Sequence, residues 1–448
     1  MATWVGKMVK LAIIADDLTG AADAVLPFAR AGWATSVTTN ALEVGRLLAH
    51  DRVVGVDVGT REAAGPLAYL AVFGACQEAL RVGAVPYKKV DSRLRGKPAL
   101  EVGAALDAWP EAIAIVAPAL PHMGRVVRDG RLQGPDLAPI EMAEVFSGPW
   151  RGGLVRVSRR ELAPGAVRDR LESLAPGSVV LADAENEDQL LALVSAAWGG
   201  DRAVLWVGAA GLSSALIAHL RSVASPASTM TARSDAASDA AAPHPTGDTR
   251  PPGGRGILVL VATQERVGRL QLAALAHRTG AVVSELALEQ AAVASWVASE
   301  RSALSARLEA GEVVALCSAW PKPGAAERDD HAKLMAVGAC ALIASGVAVD
   351  LVATGGKMAR CLLDAIGEQS CRILGEVGPG MPLLETERHG FGLVTKAGSF
   401  GTELSLVEAV AVLRSWRSRG GMGKAAYVAT SDRKGSRAVT EGFGEPRR

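Results

Sequence analysis

An excess of charge of either sign is missing from this sequence: 48 Lys and Arg stand against 47 Asp and Glu, a net +1. A chain so balanced projects no long-range field to hold nucleic acid or an acidic membrane surface, so neither is expected as a partner. Long apolar runs are missing too. The longest, residues 336–349, is 14 residues, is broken by Ser345 and two Gly, and is stopped by Asp350. A spanning helix needs ~20, so this run reads as a buried helix leading into a strand. The opening stretch MATWVGKMVKLAIIADD has too short an apolar segment before its two Asp to read as a secretory signal. Cysteine is scarce: five residues (76, 317, 340, 361, 371), odd in number and without a CxxC pair. Neither a disulfide framework nor a zinc site is expected, and a reducing cytoplasm is the expected compartment. Two nucleotide signatures are also missing. Gly356-Lys357 is followed by Met358 rather than Ser or Thr, with no Gly five positions before Gly356, so there is no Walker A loop. No GxGxxG follows any strand, which counts against a nicotinamide-dependent oxidoreductase.

What is present is apolar and glycine-rich: 49% hydrophobic residues and 49 Gly in 448 residues. That length suits two domains with linkers. Residues 222–256 shift to Ser, Ala, Pro, Asp, Thr and Gly and read as a flexible linker. Residues 417–448 lose apolar periodicity and read as a disordered, locally basic tail. Elsewhere one pattern returns, a short apolar strand, a Gly- or Asp-bearing turn, then an amphipathic helix. It places strands at 11–15, 111–117, 178–182 and 203–207 in the first part, with a helix at 21–31. The second part has strands at 257–262, 312–317, 349–353 and 392–396 and helices at 265–277, 357–366 and 402–413. The expected fold class is α/β: two α/β domains with mainly parallel sheets, residues 1–221 and 257–416, with the active site in the interdomain cleft. In such sheets ligands bind beyond the carboxyl ends of the strands.

Three clusters in the first part carry chemistry. In IIADDLTGAAD, Asp16 and Asp17 follow a strand; Asp17 is either a proton acceptor or cation ligand, or the cap of the next helix. Asp23, on that helix, reads as structural or solvated. VPYKKVDSRLRGKPALE gathers Lys88, Lys89, Arg93, Arg95 and Lys97 around Asp91-Ser92. This is either a site for an anionic ligand such as a carboxylate or phosphate, or an exposed basic turn. APALPHMGRVVRDG offers His122, read as structural, and Arg125, the better ligand candidate. The second part is poorer in carboxylates and richer in Gly turns: TGG at 354–356, GPGMP at 378–382 and KAGSFG at 396–401. Backbone N–H groups at such turns and at helix starts bind phosphate.

ADDLTGAAD, KKVDSRLRG, APALPHMGR, the GAAGL turn, TGG before a helix, GPGMP and KAGSFG stand here in an order and spacing that resembles the four-carbon acid sugar kinase family, over roughly residues 9–415. The resemblance implies an ATP-dependent kinase acting on the terminal hydroxyl of a small acid of the threonate, erythronate or oxo-tetronate class. The N-terminal domain would hold the acid and the C-terminal domain the nucleotide. Carried over, Asp16, Asp17, Lys89, Asp91, Ser92, Arg95 and Arg125 would line the acid site, with Asp17, or failing that Asp16, accepting the hydroxyl proton. Thr263, Thr354, Gly355, Gly356, Lys357, Gly398, Ser399 and Phe400 would line the nucleotide site. The expected cofactors are ATP and Mg²⁺, the expected partners the sugar acid and ATP, and a homodimer is left open.

Three departures stand out. Ala262-Thr263 replaces the family's usual Gly-Ser, keeping the hydroxyl but not the flexible Gly. Lys357 and Met358 follow TGG where an acidic residue and Thr are common, which reverses the local charge. Arg93 stands where Thr is more usual, a change that bears on acid specificity. Lys357 and Met358 favour the alternative reading, a non-catalytic sugar-acid or nucleotide sensor.

Overall fold

The computed structural model describes residues 9–135, 137–161, 166–223, 255–262, 265–286, 290–318, 329–344, 346–398 and 401–419. The first half runs β1 (Leu11–Ala15), α1 (Leu18–Arg30), β2 (Thr35–Thr38), α2 (Val44–Leu47), β3 (Val53–Asp57), α3 (Gly65–Arg81), β4 (Val85–Lys89), α4 (Pro98–Ala108), β5 (Ala112–Ala117). It continues through β6 (Val126–Arg128), β7 (Arg131–Gly134), β8 (Leu137–Glu141), α5 (Met142–Val145), β9 (Leu154–Val157), α6 (Ala166–Ser173), β10 (Val179–Ala182), α7 (Glu187–Ala197), β11 (Ala203–Gly208) and α8 (Ala210–Val223). The second half runs β12 (Gly256–Val261), α9 (Arg266–Thr279), β13 (Val282–Leu286), α10 (Gln290–Glu309), β14 (Val313–Ser318), α11 (Asp329–Ile343), β15 (Val349–Thr354) and α12 (Gly356–Ala365). It closes with β16 (Ser370–Gly378), β17 (Met381–Thr386), β18 (Gly392–Lys396) and α13 (Ser405–Ser418).

The mainly parallel α/β class is as the alternating pattern predicts. Central strands such as β1 (LAIIA) and β12 (GILVLV) are buried at every position, as near-continuous apolar runs covered by helices on both faces must be. In the first half the strand order is β2-β3-β1-β4-β11-β5-β10-β9, every neighbouring pair parallel. In the second it is β13-β14-β12-β15-β18, parallel, followed by antiparallel β17 and β16. The direction of winding reverses between β1 and β4 in one half and between β12 and β15 in the other. Such reversals open the crevices where ligands of open α/β sheets bind.

Several expectations are corrected. The two halves do not carry separate sheets: β16 pairs antiparallel with β2, Ser370 opposite Thr38 and Arg372 opposite Ser36, so one sheet of 15 strands runs through both. The missed hairpin β16-β17 accounts for GPGMP. Pro379 and Gly380 (φ +70°) form its turn, no helix follows, and the Gly380 N–H is taken by Glu376 Oε1 at 3.1 Å. Helix α1 starts three residues earlier than its apolar period suggests, because Asp17 caps it. The expected linker loses its ends to structure, since Ser222 and Val223 finish α8 and Gly256 opens β12; residues 224–254 lie outside the described residues. The expected tail is shortened likewise, because α13 runs through Ser418; residues 420–448 lie outside the described residues. Among the described residues no helix is long and apolar enough to cross a membrane.

Candidate functional site

The loops after β1, β3, β4 and β5 meet the loops after β15 and β18 in a cleft of about 720 Å³, and a neighbouring cavity of about 450 Å³ shares Glu62, Gly355, Lys357 and Gly398 with it. Asp16 and Asp17 enter it from β1. Asp16 is buried, while the Asp17 carboxylate does both things its sequence position allowed: it caps α1 and lines the cleft. Its Oδ1 accepts the Gly20 N–H at 2.7 Å, and its Oδ2 accepts Thr19 Oγ1 at 3.0 Å.

Sequence reasoning missed the group that ties this corner together. Arg61, in the loop after β3, lays its guanidinium across three carboxylates. Nε and Nη2 grip Asp16 at 2.8 and 2.9 Å, Nη1 donates to Asp17 Oδ2 at 2.5 Å, and Nη2 reaches Asp91 Oδ2 at 3.3 Å. Burial pushes Asp16 toward the neutral acid, but Arg61 outweighs it and holds the carboxyl below its ordinary value, helped by Lys88 and Lys89. For Asp91 burial is again overcome, here by Arg95 first and Arg61 next, and the carboxyl lies far below the usual range. The Arg61 guanidinium is raised in turn: burial alone lowers it, and Asp17 and Asp16 more than reverse that.

The KKVDSRLR segment divides by strand alternation. Lys88 points away from the cleft, is fully buried, and pairs with Glu101 Oε2 of α4 at 2.8 Å. Glu101 also accepts Thr60 Oγ1 at 2.6 Å, which anchors the loop carrying Arg61. Lys89 points into the cleft; a β-carbon on Gly20 would lie 3.2 Å from its Nζ. Arg95, 56% exposed, pairs with Asp91 at 2.7 Å. Arg125 is buried and donates from Nη1 to Ser92 Oγ at 2.6 Å. It is brought there by a tight turn in which Leu120 and Arg125 exchange backbone hydrogen bonds around Gly124 (φ +68°). Asp23 also lines the cleft. Burial pushes its carboxyl up, against the pull of Lys89 and His122.

Across the cleft, TGG ends β15 and starts α12. Thr354 is buried and donates to Leu260 O at 3.2 Å. Gly355 holds φ +98°, which an L side chain rarely adopts, and Gly356 opens a helix whose first turn has no side-chain cap. Gly356 faces Asp17 directly: a β-carbon there would stand 2.5 Å from Asp17 Oδ2 and 2.9 Å from Thr19 Oγ1. Thr354, Gly355, Lys357 and Gly398 line the smaller cavity with Ala262 and His331. Thr263, Ser399 and Phe400 lie outside the described residues.

Charged residues from the two halves also pair across the cleft, and none of these pairs was foreseen. Lys357 Nζ meets Glu62 Oε2 at 2.8 Å, and Arg360 Nη1 meets Asp57 Oδ2 at 3.2 Å. Asp57 is buried at the end of β3, and its carboxyl is pushed up to about 6 by burial, with Arg360 opposing and Asp17 adding to the rise. Lys396, the first residue of KAGSFG, donates to Ala397 O at 2.9 Å and Gly398 O at 3.3 Å, and burial brings its ammonium down to about 8. Among the described residues no group of three or more His, Cys, Asp or Glu is gathered to hold a metal ion.

Fold and site thus define a two-domain α/β protein in which a charged, carboxylate-bearing crevice of one half closes on a glycine-turn crevice of the other. The chain matches a sugar-binding N-terminal domain over residues 11–145 and a nucleotide-binding C-terminal domain over residues 258–406. It is 31% identical over 431 residues to a D-threonate kinase of Bordetella bronchiseptica, covering 91% of this chain and 98% of the relative. It is 32% identical over 420 residues to a D-threonate kinase of Cupriavidus necator, covering 88% and 95%. A solved structure from Salmonella typhimurium LT2 shares the fold, with a TM-score of 0.67 at 19% identity over 89% of this chain and 98% of that one. The chain belongs to the four-carbon acid sugar kinase family.

Proposed function

We propose that this protein is an ATP-dependent kinase that phosphorylates the terminal hydroxyl of a four-carbon sugar acid of the threonate, erythronate or oxo-tetronate class. One observation carries the reading: Asp17 of the acid-side crevice lies against Gly356 of the glycine-turn crevice. Phosphoryl transfer depends mostly on positioning and on neutralising charge, so a carboxylate held beside a phosphate-binding turn is where an acceptor hydroxyl has to be. The relatives named D-threonate kinase, matched nearly end to end, support the substrate class.

Asp17 accepts the hydroxyl proton. Three of its roughly four acceptor positions are taken, by Gly20, Thr19 and Arg61, which leaves one on Oδ1 for the substrate. Arg95, Arg125 and Lys89 hold the substrate carboxylate, with Ser92 orienting Arg125. The smaller cavity fits a nucleotide: its lining is partly apolar, through Ala262, Ala332 and Met358, and the uncapped start of α12 opens onto it. Thr354, Gly355, Gly356, Lys357 and Gly398 would hold the phosphates of ATP, which supplies the transferable phosphoryl group. Mg²⁺ brought with ATP would neutralise phosphate charge in a cleft lined by the carboxylates of Asp16 and Asp17.

The test is an ADP-release assay with ATP and Mg²⁺ over a panel of four-carbon acids, with the product position read by phosphorus NMR. Turnover of at least one such acid to its terminal phosphate supports the reading; binding of acid or ATP with no turnover across the panel supports a sensor instead. Asp17→Asn is expected to lower turnover by about three orders of magnitude with nucleotide affinity nearly unchanged, and unchanged turnover removes Asp17 from the role.

A further inference from the structure

We infer that Arg61 is a positioning residue for the phosphoryl transfer, acting through Asp17: it is the shared counter-ion that keeps three clustered carboxylates aligned and ionised together. The inference rests on the reading of Asp17 as proton acceptor, and names a residue that reading does not need.

The geometry argues against the simpler role of substrate ligand. All three guanidinium nitrogens are engaged by protein carboxylates: Nε and Nη2 on Asp16, Nη1 on Asp17, and Nη2 also near Asp91. A guanidinium presents five N–H donors as a rigid fork, and here each of its three nitrogens already bears a protein carboxylate before any acid arrives. Arg95 and Arg125 are left to meet the substrate carboxylate. Arg61 is also fixed from behind. Its own N–H bonds Asp16 O at 3.3 Å, Val58 N–H bonds Ala15 O at 3.0 Å, and Thr60 is tied to the buried Glu101–Lys88 pair. Gly96 (φ +86°) closes over the pair, a β-carbon there lying 3.3 Å from Asp16 Oδ2 and 3.9 Å from Arg61 Cα.

Three carboxylates within reach of one cation repel each other, and repel an anionic substrate and a polyphosphate as well. Asp23 and Asp57 add negative charge near Asp17, and the nearby cations each have a protein partner of their own, although Lys89, Arg95 and Arg125 still line the cleft where the acid would sit. Lys88 of β4 belongs to Glu101, Arg95 to Asp91, and Arg360 of α12 to Asp57 of β3; Lys89 of β4 gives its ammonium to Val90 O at 2.9 Å. With Arg61 removed, the cluster relieves that repulsion by taking up a proton and by moving apart, and either change spoils the acceptor.

The experiment compares Arg61→Gln and Arg61→Lys with the parent and with Asp17→Asn, in the full chain, by pH–rate profiles over the acid that the panel identifies and by thermal melts. Arg61→Gln is expected to lower kcat about 100-fold, to change the KM for the acid less than about threefold, and to move the acid limb of the profile up by about one pH unit. Arg61→Lys keeps the charge and loses the fork, so the limb stays in place while kcat falls about tenfold. A loss in Arg61→Gln confined to KM makes Arg61 a substrate ligand and overturns the inference, as does an unmoved acid limb. If Arg61→Gln does not fold, Arg61→Lys decides alone, and parental kcat in that variant overturns it. An active Asp17→Asn variant sinks the base assignment on which all this rests; an inactive one beside an unmoved Arg61→Gln profile sinks only the role of Arg61.

Discussion

Asp17 and Gly356, 339 positions apart in sequence, touch across the seam between the two halves, so closely that a β-carbon on Gly356 would stand 2.5 Å from Asp17 Oδ2. The contact leaves a carboxylate facing the first turn of α12 with no side chain between them.

Gly356→Ala tests that contact. The added methyl group has to displace the Asp17 carboxylate or part the halves, and a misplacement of about 1 Å at a reacting centre costs on the order of 100-fold in rate. Turnover is expected to fall by about that factor while the KM for the acid moves little, as read by steady-state kinetics. A melting temperature close to the parent's separates this from unfolding.

The Lys88–Glu101 pair under the site is fully buried and stabilises only as a pair. Glu101→Gln strands the Lys88 ammonium in the core and also weakens the bond from Thr60. It is expected to cost about 3–5 kcal/mol in urea unfolding, whereas the double change Lys88→Met, Glu101→Leu recovers most of the loss. A single-variant cost under about 1 kcal/mol is the contrary result.

By contrast, Lys357–Glu62 lies near the surface, with side-chain exposures of 36% and 65%. Exposed pairs contribute about 0–1 kcal/mol. Glu62→Gln is therefore expected to leave the unfolding midpoint almost unchanged. Because both residues border the cavity assigned to the nucleotide, the readable effect is on the KM for ATP, which is expected to shift as the lysine gains freedom to meet phosphate.

Asp57 sets a pH dependence of stability. Its native value of about 6 lies above the ordinary 3.8, so the folded chain binds this proton more tightly than the unfolded one. The resulting stability is present below about pH 4 and is lost as pH rises through 6. The parent is thus expected to lose up to about 2–3 kcal/mol from this group over that window, and Asp57→Asn, uncharged throughout, to lack that component. Urea melts at pH 4, 5, 6 and 7 check it; parallel curves for the two proteins contradict it.

How much of this was legible in the sequence follows from what each residue depends on. The α/β class, strands such as β1, β5, β11, β12 and β15, and the Asp16-Asp17, Lys89-Asp91-Ser92-Arg95 and Arg125 loops announce themselves locally, whereas β3 and β4 beside β1 were not read as strands. All of the named side chains line one cleft, and Arg61 ties Asp16 to Asp17 within it. The groups missed are defined by partners far along the chain: Arg61 by a carboxylate 45 positions back, Lys357 and Arg360 by carboxylates 295 and 303 positions back. No local spacing encodes such pairs. The single sheet was missed for a similar reason, since neither β2 nor β16 was marked by the apolar pattern and they pair only across the two halves. GPGMP is a hairpin turn with no helix after it, yet its Gly380 lines the cleft; a hairpin turn and an anion-binding loop ask for the same residues.

The joint at Ser36–Thr38 and Ser370–Arg372 has a mechanical consequence. Among the described residues, those three rungs form the only ladder between the halves, and α1 packs beside them against β16, β17 and α12, so the halves are joined by a spine with a helix lying across it instead of a loose tether. Twist at the spine would act as a lever on the gap between Asp17 and Gly356. A staple across positions 37 and 371 would stiffen that lever and slow substrate entry from a distance, touching no group in the cleft.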